Sequence, residues 1–432
     1  MDVTQAIEAL RHALPAAHFA QCGSQEYDEL NHSYQSGLCS DITPACIRLK
    51  GISVKDGVVQ VAAGESWGPV YDKLGETGLG FSGGRSFRSG IGGLALAGGL
   101  SFVSSREGFI CDNVLNFEVV LASGSIVNAN AQENSELWIA LRGGGNNLGI
   151  VTRFDFRTFN QGPLYGGSVY YFGQSFPGQL EALVGELQKP DASEETHLMI
   201  SIGFAAMFGP QMMCQNQVYC TRGIDASPVL QPFTAIQPQL DQMNSLRIHS
   251  LAEAAREQAS DRPAPKRSVY MNTTVKADVA TLQAASEIYE AALEPLKSCE
   301  GIIASMTLQP YPVSLLRRSA AQGGNVLGLE PALGPLVNIL FLTYWESKND
   351  DHKILSTLRE ALDKVDSDAE TRGTSVAHKY LNYAATFQDP IGSYGAENTE
   401  KLRRASEKFD PEGLFQKGVL GGWKLFSGGS DL

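Results

Sequence analysis

The fold is decided by Gly83-Gly84-Arg85-Ser86-Phe87-Arg88-Ser89-Gly90-Ile91-Gly92-Gly93-Leu94-Ala95-Leu96-Ala97-Gly98-Gly99 and by Leu141-Arg142-Gly143-Gly144-Gly145-Asn146-Asn147-Leu148-Gly149-Ile150-Val151-Thr152. Glycine costs backbone entropy and brings no side chain to a core, so two such clusters close together need a reason. Close approach supplies one. Without Cβ atoms, backbone N–H groups reach a large flat or anionic ligand. Between the clusters, the apolar runs 117–121 and 125–127 flank Ser123-Gly124 and read as a hairpin. Either cluster alone reads as tight turns in a sheet-rich domain; two joined by a hairpin read as a cofactor cradle.

Gly90-Ile91-Gly92-Gly93-Leu94-Ala95 has the letters of the dinucleotide pattern G-x-G-x-x-G/A. That pattern needs a hydrophobic strand before it, and 80–89 is no strand, so a Rossmann nicotinamide site is rejected. Gly64-Glu65-Ser66-Trp67-Gly68 matches the nucleophile elbow G-x-S-x-G, but its strand belongs to a hairpin, and Ser66 reads better as a helix cap. His32, His197, His352 and His378 show no metal-ligand spacing, so no metal site is expected.

Working outward, 2–14 reads as a helix, and Lys55-Asp56-Gly57 turns a hairpin between 52–54 and 58–61. Trp67, Val70, Tyr71 and Leu74 have helical spacing, and the stretch 134–141 reads as a capped helix. Residues 150–159 alternate as a strand. Beyond Gly162 the texture changes: strands are expected at 163–175, 198–220 and 338–345. Helices are expected at 178–188, 226–234, 277–297 and 352–366, with a loop-rich stretch at 309–328. A Pro-rich patch lies at 262–266.

The 432 residues make two domains the default, and 43% hydrophobic with 19% charged residues is ordinary for a globular protein. A formal charge of −13, with no Lys/Arg cluster to offset it, argues against nucleic acid or an anionic membrane as partner. No apolar run approaches a membrane span, and the first residues lack the layout of a signal peptide, so a cytoplasmic or other intracellular location is expected. Seven scattered cysteines without C-x-x-C spacing read as buried free thiols, with a Cys214–Cys220 bridge as the open alternative.

These residues resemble a known family. The segments Gly83-Gly84-Arg85, Gly90-Ile91-Gly92-Gly93-Leu94 and Gly98-Gly99-Leu100-Ser101 are similar to the FAD-binding domain of the berberine-bridge-enzyme-like oxidases, as are Gly108-Phe109-Ile110-Cys111-Asp112-Asn113-Val114 and the second glycine cluster. That family has the vanillyl-alcohol-oxidase fold with a PCMH-type FAD domain, and the likeness is greatest to shorter members of fungal secondary metabolism. Gly323-Gly324-Asn325-Val326-Leu327-Gly328-Leu329 looks like a substrate-domain motif of the group. Tyr380-Leu381-Asn382-Tyr383, Gln388-Asp389-Pro390 and Phe409-Asp410-Pro411-Glu412-Gly413 look like its C-terminal signature.

The resemblance implies an α+β, two-domain fold. The flavin domain would be built from both chain ends, 1–160 and 378–432, with a substrate domain at 161–377 carrying an antiparallel sheet. It implies FAD along Gly84, Gly90, Gly92, Gly93, Leu94, Gly98 and Gly99, with Gly149, Ile150 and Val151 binding through backbone groups and Asn382 and Tyr383 flanking the ring. It further implies a small-molecule substrate that gives a hydride to the flavin, with dioxygen as re-oxidant. Tyr383 is the candidate base and Tyr380 the second; a phenol in that role needs a cationic or hydrogen-bonding neighbour, which the sequence does not name.

The chain departs from the family between Pro44-Ala45-Cys46-Ile47 and Leu49-Lys50-Gly51-Ile52, where the flanking motifs are almost fused. A segment of strand–helix–strand size, with the histidine that carries the covalent flavin bond, is absent there. The cysteine of the second attachment point is replaced by Ser86, Phe87, Arg88 and Ser89. FAD is therefore expected to bind without a covalent bond. Two readings follow: a normal oxidase whose recorded chain lacks a segment through incomplete translation or mis-splicing, or a shortened, flavin-free relative serving as a cyclase-like or binding scaffold.

Overall fold

The computed structural model describes residues 18–21, 45–259, 267–419 and 421–426. The helix expected at 2–14 and the Pro-rich patch lie outside them. Strands β1 (His18–Gln21) and β2 (Ala45–Arg48) form a two-stranded antiparallel sheet.

A six-stranded antiparallel sheet follows, of β3 (Ile52–Lys55), β4 (Val58–Ala62), β5 (Leu79–Phe81), β6 (Val114–Val120), β7 (Ile126–Asn130) and β8 (Ile150–Asn160). The order is β3-β4-β8-β6-β7. The 11-residue β8 is long enough to pair β5 at its far end as well. The expected Asp-Gly hairpin joins β3 to β4; Asp56 and Gly57 both take positive φ (50° and 78°), which its tight turn requires. One face of this sheet is apolar, and Phe117, Phe154 and Phe156 meet Trp67 and Phe81 there in a continuous ring cluster.

Helix Trp67–Gly75 buries the expected Trp67, Val70, Tyr71 and Leu74. Ser66 stands at its N-cap position but makes no side-chain cap bond. The backbone of residues 86–90 supplies the partners instead: Trp67 N donates to Ser89 O (3.1 Å), Gly68 N to Phe87 O (2.9 Å), and Ser66 bridges to Gly90. Asn134 likewise leads its helix, Ser135–Leu141, without capping it: its backbone is left-handed (φ 49°), not in the extended conformation usual for a cap, and its Nδ2 donates to Asn128 O.

The second sheet has eight antiparallel strands, in the order β12-β9-β11-β10-β14-β15-β13-β16. They are β9 (Leu164–Phe172), β10 (Thr196–Ala205), β11 (Met213–Cys220), β12 (Arg247–His249), β13 (Arg267–Lys276), β14 (Ile303–Tyr311), β15 (Leu336–Trp345) and β16 (Ser375–Val376). The stretch expected as one strand at 198–220 is thus the hairpin β10–β11. Helices Phe176–Leu187, Val279–Leu293 and Asp351–Arg372 pack Leu180, Leu183, Leu282, Tyr289 and Leu358 with Ile200, Ile202, Met271 and Phe341 in one core.

The stretch expected as loop at 309–328 begins with the end of β14 and contains helix Val313–Ala321. Only Leu315, Leu316 and Ser319 of that helix are buried, and its Arg317-Arg318 pair hides the periodicity. A first core gathers the six-stranded sheet together with Tyr311, Leu315, Leu316, Val326, Leu327, Leu329 and Leu336, and with Ile391, Tyr394, Leu402 and Leu425 from the C-terminal part. Cys111, Cys214, Cys220 and Cys299 are free and buried, so Cys214 and Cys220 make no bridge. Among the described residues no helix is long and apolar enough to cross a membrane.

Candidate functional site

The two glycine clusters meet. Leu96 O accepts from Gly143 N (3.1 Å) and from Gly145 N (3.0 Å). Short helix Ile91–Leu96 joins them, with Ile91 and Ala95 buried. Its other side is a ledge on which Gly92 is half-buried and Gly93 exposed. A Cβ added to Gly90 or Gly93 would meet nothing within 4 Å, and one on Gly92 only Ala63 O at 3.8 Å. The backbone here is open to a ligand. Ala63 also ties the ledge to the second cluster, its N–H donating to Thr152 O (2.9 Å). At Ile150 and Val151, β8 pairs with Val120 and Val119 of β6, while its pairing with β4 starts only at Arg153. That edge presents backbone groups beside the ledge, and the Ile150 side chain is 59% exposed.

The other glycines named from the sequence are packed on protein. A Cβ on Gly84 would lie 2.4 Å from Trp67 Nε1, and one on Gly149 2.5 Å from Val119 Cγ1. At Gly99 it would lie 2.8 Å from Ile110, and at Gly98, where φ is +97°, 3.0 Å from Leu327 Cδ1 and 3.4 Å from the Tyr380 ring. Leu94 is half-buried between ledge and core.

Leu327 belongs to the 323–329 segment, which the sequence assigned to the substrate side and which packs in the first core instead. Two buried ions fix it. Arg142 lies 3.6 Å over the Trp138 ring and donates to Gln322 O (2.9 Å), Gly324 O (3.0 Å) and Val114 O (2.9 Å). Asp112 accepts from Asn325 Nδ2 (2.8 Å), Phe109 N (2.8 Å) and Ser319 Oγ, while burial pushes its carboxyl above the ordinary range. His378 Nδ1 bonds Leu327 O (2.9 Å), and burial lowers this imidazole to about 4.

Next to Gly98 the C-terminal segment makes a single turn, Leu381–Tyr383. Asn382 Nδ2 donates to Ala97 O (3.1 Å) and to Tyr380 OH (3.0 Å). Tyr380 is fully buried, and desolvation holds its phenol well above 10. Tyr383 packs edge-on against it, ring centroids 4.8 Å apart, but is only half-buried. Its hydroxyl lies 2.9 Å from Arg85 Nη2 and 3.2 Å from Gln309 Oε1. Arg85 also donates to Gln309 Oε1 (2.7 Å) and Met199 Sδ (3.3 Å). The first glycine cluster, the C-terminal segment and the eight-stranded sheet therefore converge on one guanidinium. A cavity of about 20 Å³, room for a water, lies beside it, lined by Ser101, Ser104, His197 and Gln309 among others. His197 Nε2 has no partner, and burial together with the Arg85 charge pushes its pKa well below 6.5.

Sequence reasoning missed Arg85, Gln309, Met199 and His197. Arg85 carried a signal: it is a charged residue set directly inside a glycine cluster. The others lie on strands and are brought in by cross-strand register alone.

Residues 31–130 match the model of a family described as the FAD binding domain. The chain is 36% identical over 385 residues to the FAD-dependent monooxygenase FUP4 of Fusarium proliferatum, covering 87% of this chain and 74% of that protein. It is 36% identical over 379 residues to the FAD-dependent monooxygenase tpcD of Cochliobolus heterostrophus, covering 86% and 73%. The chain belongs to this fungal FAD-dependent monooxygenase family. Among solved structures, berberine bridge enzyme from Eschscholzia californica superposes with a TM-score of 0.72 at 13% identity, over 100% of both chains. For 6-hydroxy-D-nicotine oxidase from Arthrobacter nicotinovorans the TM-score is 0.73 at 15% identity, over 93% of this chain and 96% of that one. The monooxygenase-family chain thus has the PCMH-type fold that its glycine clusters imply, and its cofactor is FAD. It is an FAD-dependent oxidoreductase. The residues present fit that cofactor on one side: the 90–93 ledge is open where a bulky ligand needs backbone access, and the β8 edge at Ile150 and Val151 adjoins it.

Proposed function

We propose that the chain oxidises a hydroxylated small organic molecule, with Tyr383 taking the proton and dioxygen as terminal oxidant. The carrying observation is the pairing of a half-buried phenol with a guanidinium at 2.9 Å, on a turn that Asn382 ties to Ala97 at the end of the Ile91–Leu96 helix. FAD, which the 90–93 ledge and the backbone at Ile150 and Val151 would hold, would supply a two-electron acceptor that dioxygen re-oxidises.

The chain's own residues do the rest. Arg85 stands where it neutralises a phenolate at Tyr383, so a substrate hydroxyl that hydrogen-bonds Tyr383 can pass its proton there as its carbon loses hydride. Gln309 holds both partners. Tyr380, buried with its hydroxyl turned to Asn382, positions the turn and does not reach the substrate. That the relatives from Fusarium proliferatum and Cochliobolus heterostrophus are FAD-dependent monooxygenases supports a reaction that consumes dioxygen.

The test is oxygen uptake by the FAD-loaded chain across a panel of benzylic and allylic alcohols, wild type beside Tyr383→Phe. The reading expects a fall of roughly 10²–10⁴ in turnover for the variant with FAD content unchanged. Equal turnover in the two proteins would overturn it.

A further inference from the structure

We propose that the chain carries an anion site apart from the flavin ledge, built by Arg106, Arg157 and Arg318, and that it takes a small dianion of the phosphate class.

The three guanidiniums come from three parts of the fold. Arg106 lies in the single helical turn Ser104–Glu107, Arg157 on β8 and Arg318 on helix Val313–Ala321. They converge on one carboxylate. Glu107 Oε1 accepts from Arg106 Nε (2.7 Å), and Oε2 from Arg157 Nη2 (2.7 Å) and, at longer range, from Arg318 Nη2 (3.5 Å). The Glu107 side chain is only 5% exposed. Burial works to raise its pKa, yet the hydrogen bonds from Arg157 and Arg106 hold it below the ordinary value, so it stays charged. Three positive charges meet one negative charge, and the cluster is left two positive charges in excess.

Among the described residues no second acid makes up the difference. Asp155 stands two residues before Arg157 on the same face of β8, but it accepts from Arg153 (2.7 Å), Gln60 (3.3 Å) and Asn116 (3.1 Å) instead. The cluster's other hydrogen bonds go to neutral amides, from Arg106 Nη2 to Gln161 Oε1 (2.9 Å) and from Arg157 Nη2 to Asn113 Oδ1 (2.7 Å).

Donors remain. Among the described residues Arg106 Nη1, and Nε and Nη1 of both Arg157 and Arg318, have no partner. The three side chains are 28%, 29% and 43% exposed, and none of the unpartnered nitrogens of Arg106 and Arg157 is buried. Phe159 holds two of the forks side by side, its ring centroid 5.1 Å from Arg106 Cζ and 5.9 Å from Arg157 Cζ. Guanidinium forks match the oxygens of a phosphoryl or sulfuryl group, and an excess of two charges matches its dianion. Arg157 lies seven residues beyond Ile150, about 23 Å along β8, which separates this site from the flavin ledge. An extended polyanion is a poorer fit, because the chain as a whole carries −13.

The experiment is calorimetric titration of the full, FAD-supplemented chain with inorganic phosphate, sulfate, phenyl phosphate and nitrate at pH 8 and constant ionic strength. Phosphate and sulfate should each bind at one site per chain, at least about tenfold tighter than nitrate, which forgoes one or more charge-assisted hydrogen bonds. Arg318→Gln, at an exposed position, should weaken phosphate by about tenfold. Arg404→Gln, whose residue pairs with Glu400 on the C-terminal helix, should leave it unchanged. Phenyl phosphate separates two sources of the same chemistry: tighter binding than phosphate supports a phosphorylated small organic molecule, and binding no tighter supports free phosphate. Absence of binding, nitrate equal to phosphate, or Arg318→Gln equal to wild type would overturn the proposal. So would phosphate binding that vanishes as FAD is raised, by giving the anion to the cofactor's diphosphate site.

Discussion

Arg85 Nη2 lies 2.9 Å from Tyr383 OH although 298 residues of chain separate them. Each residue is held on its own side, Arg85 by the glycine cluster and Tyr383 by the Leu381–Tyr383 turn, so their meeting depends on both parts docking. A double-mutant cycle of Arg85→Gln and Tyr383→Phe, followed by urea unfolding, measures that link. A hydrogen bond to a charged group contributes roughly 1.5–3 kcal/mol, and a coupling of about 1–2 kcal/mol is expected after Gln309 takes up part of the loss. Strict additivity would mean that the contact contributes nothing to docking.

The ledge yields a prediction that separates stability from binding. Gly93→Ala meets no atom within 4 Å and sits within helix Ile91–Leu96, where alanine gains up to about 1 kcal/mol over glycine. The variant protein should melt no lower than wild type without cofactor, yet retain less FAD on gel filtration. Gly84→Ala is the opposite case, because its Cβ would strike Trp67 at 2.4 Å, and it should lower the melting temperature itself.

Much of this was legible in the sequence. Clustered glycines, an Asp-Gly turn and the 67–75 periodicity each act locally, and each appears where local chemistry places it. Gly84, Gly98 and Gly149 show the limit. Their spacing suggested ligand contact, yet each accommodates a protein neighbour, Trp67, Leu327 or Val119. A sequence shows that a backbone must be bare but does not show what approaches it. Gln309, Met199 and His197 were invisible for a related reason: their placement depends on which strands pair, a non-local property. The 323–329 segment was put on the substrate side, whereas Arg142 and Asp112 hold it in the first core.

His378 sets a pH dependence. The unfolded imidazole titrates near 6.5 and the folded one near 4, so between those values the unfolded chain binds the extra proton. Stability is therefore full above pH 6.5 and falls as pH drops towards 4, by roughly 3 kcal/mol from this group. Buried His197, shifted the same way, adds to the slope. Urea unfolding between pH 7.5 and 4.5 should show a shallower decline for His378→Asn, whose amide can still serve Leu327 O. An unchanged slope would remove His378 from the account.

Arg142 anchors the segment that packs on Gly98 and Gly143. Arg142→Met keeps the contact with Trp138, whose Nε1 still serves Val114 O, but strands the Gln322 and Gly324 carbonyls that hold the loop. Breaking a buried ionic network of this kind costs about 3–5 kcal/mol. Limited proteolysis should then cut within 322–328 at protease levels that leave wild type intact. Resistance equal to wild type would show that the Asp112 contacts alone suffice.

The claim on which everything rests is that the open backbone at 90–93, with the neighbouring β8 edge, holds FAD without a covalent bond. The direct measurement is the visible spectrum of purified full-length chain after incubation with FAD and gel filtration, followed by acid precipitation. The account predicts flavin bands that travel with the protein and stay in the supernatant when it is precipitated. A folded chain that emerges colourless, or a precipitate that keeps the colour, would contradict it.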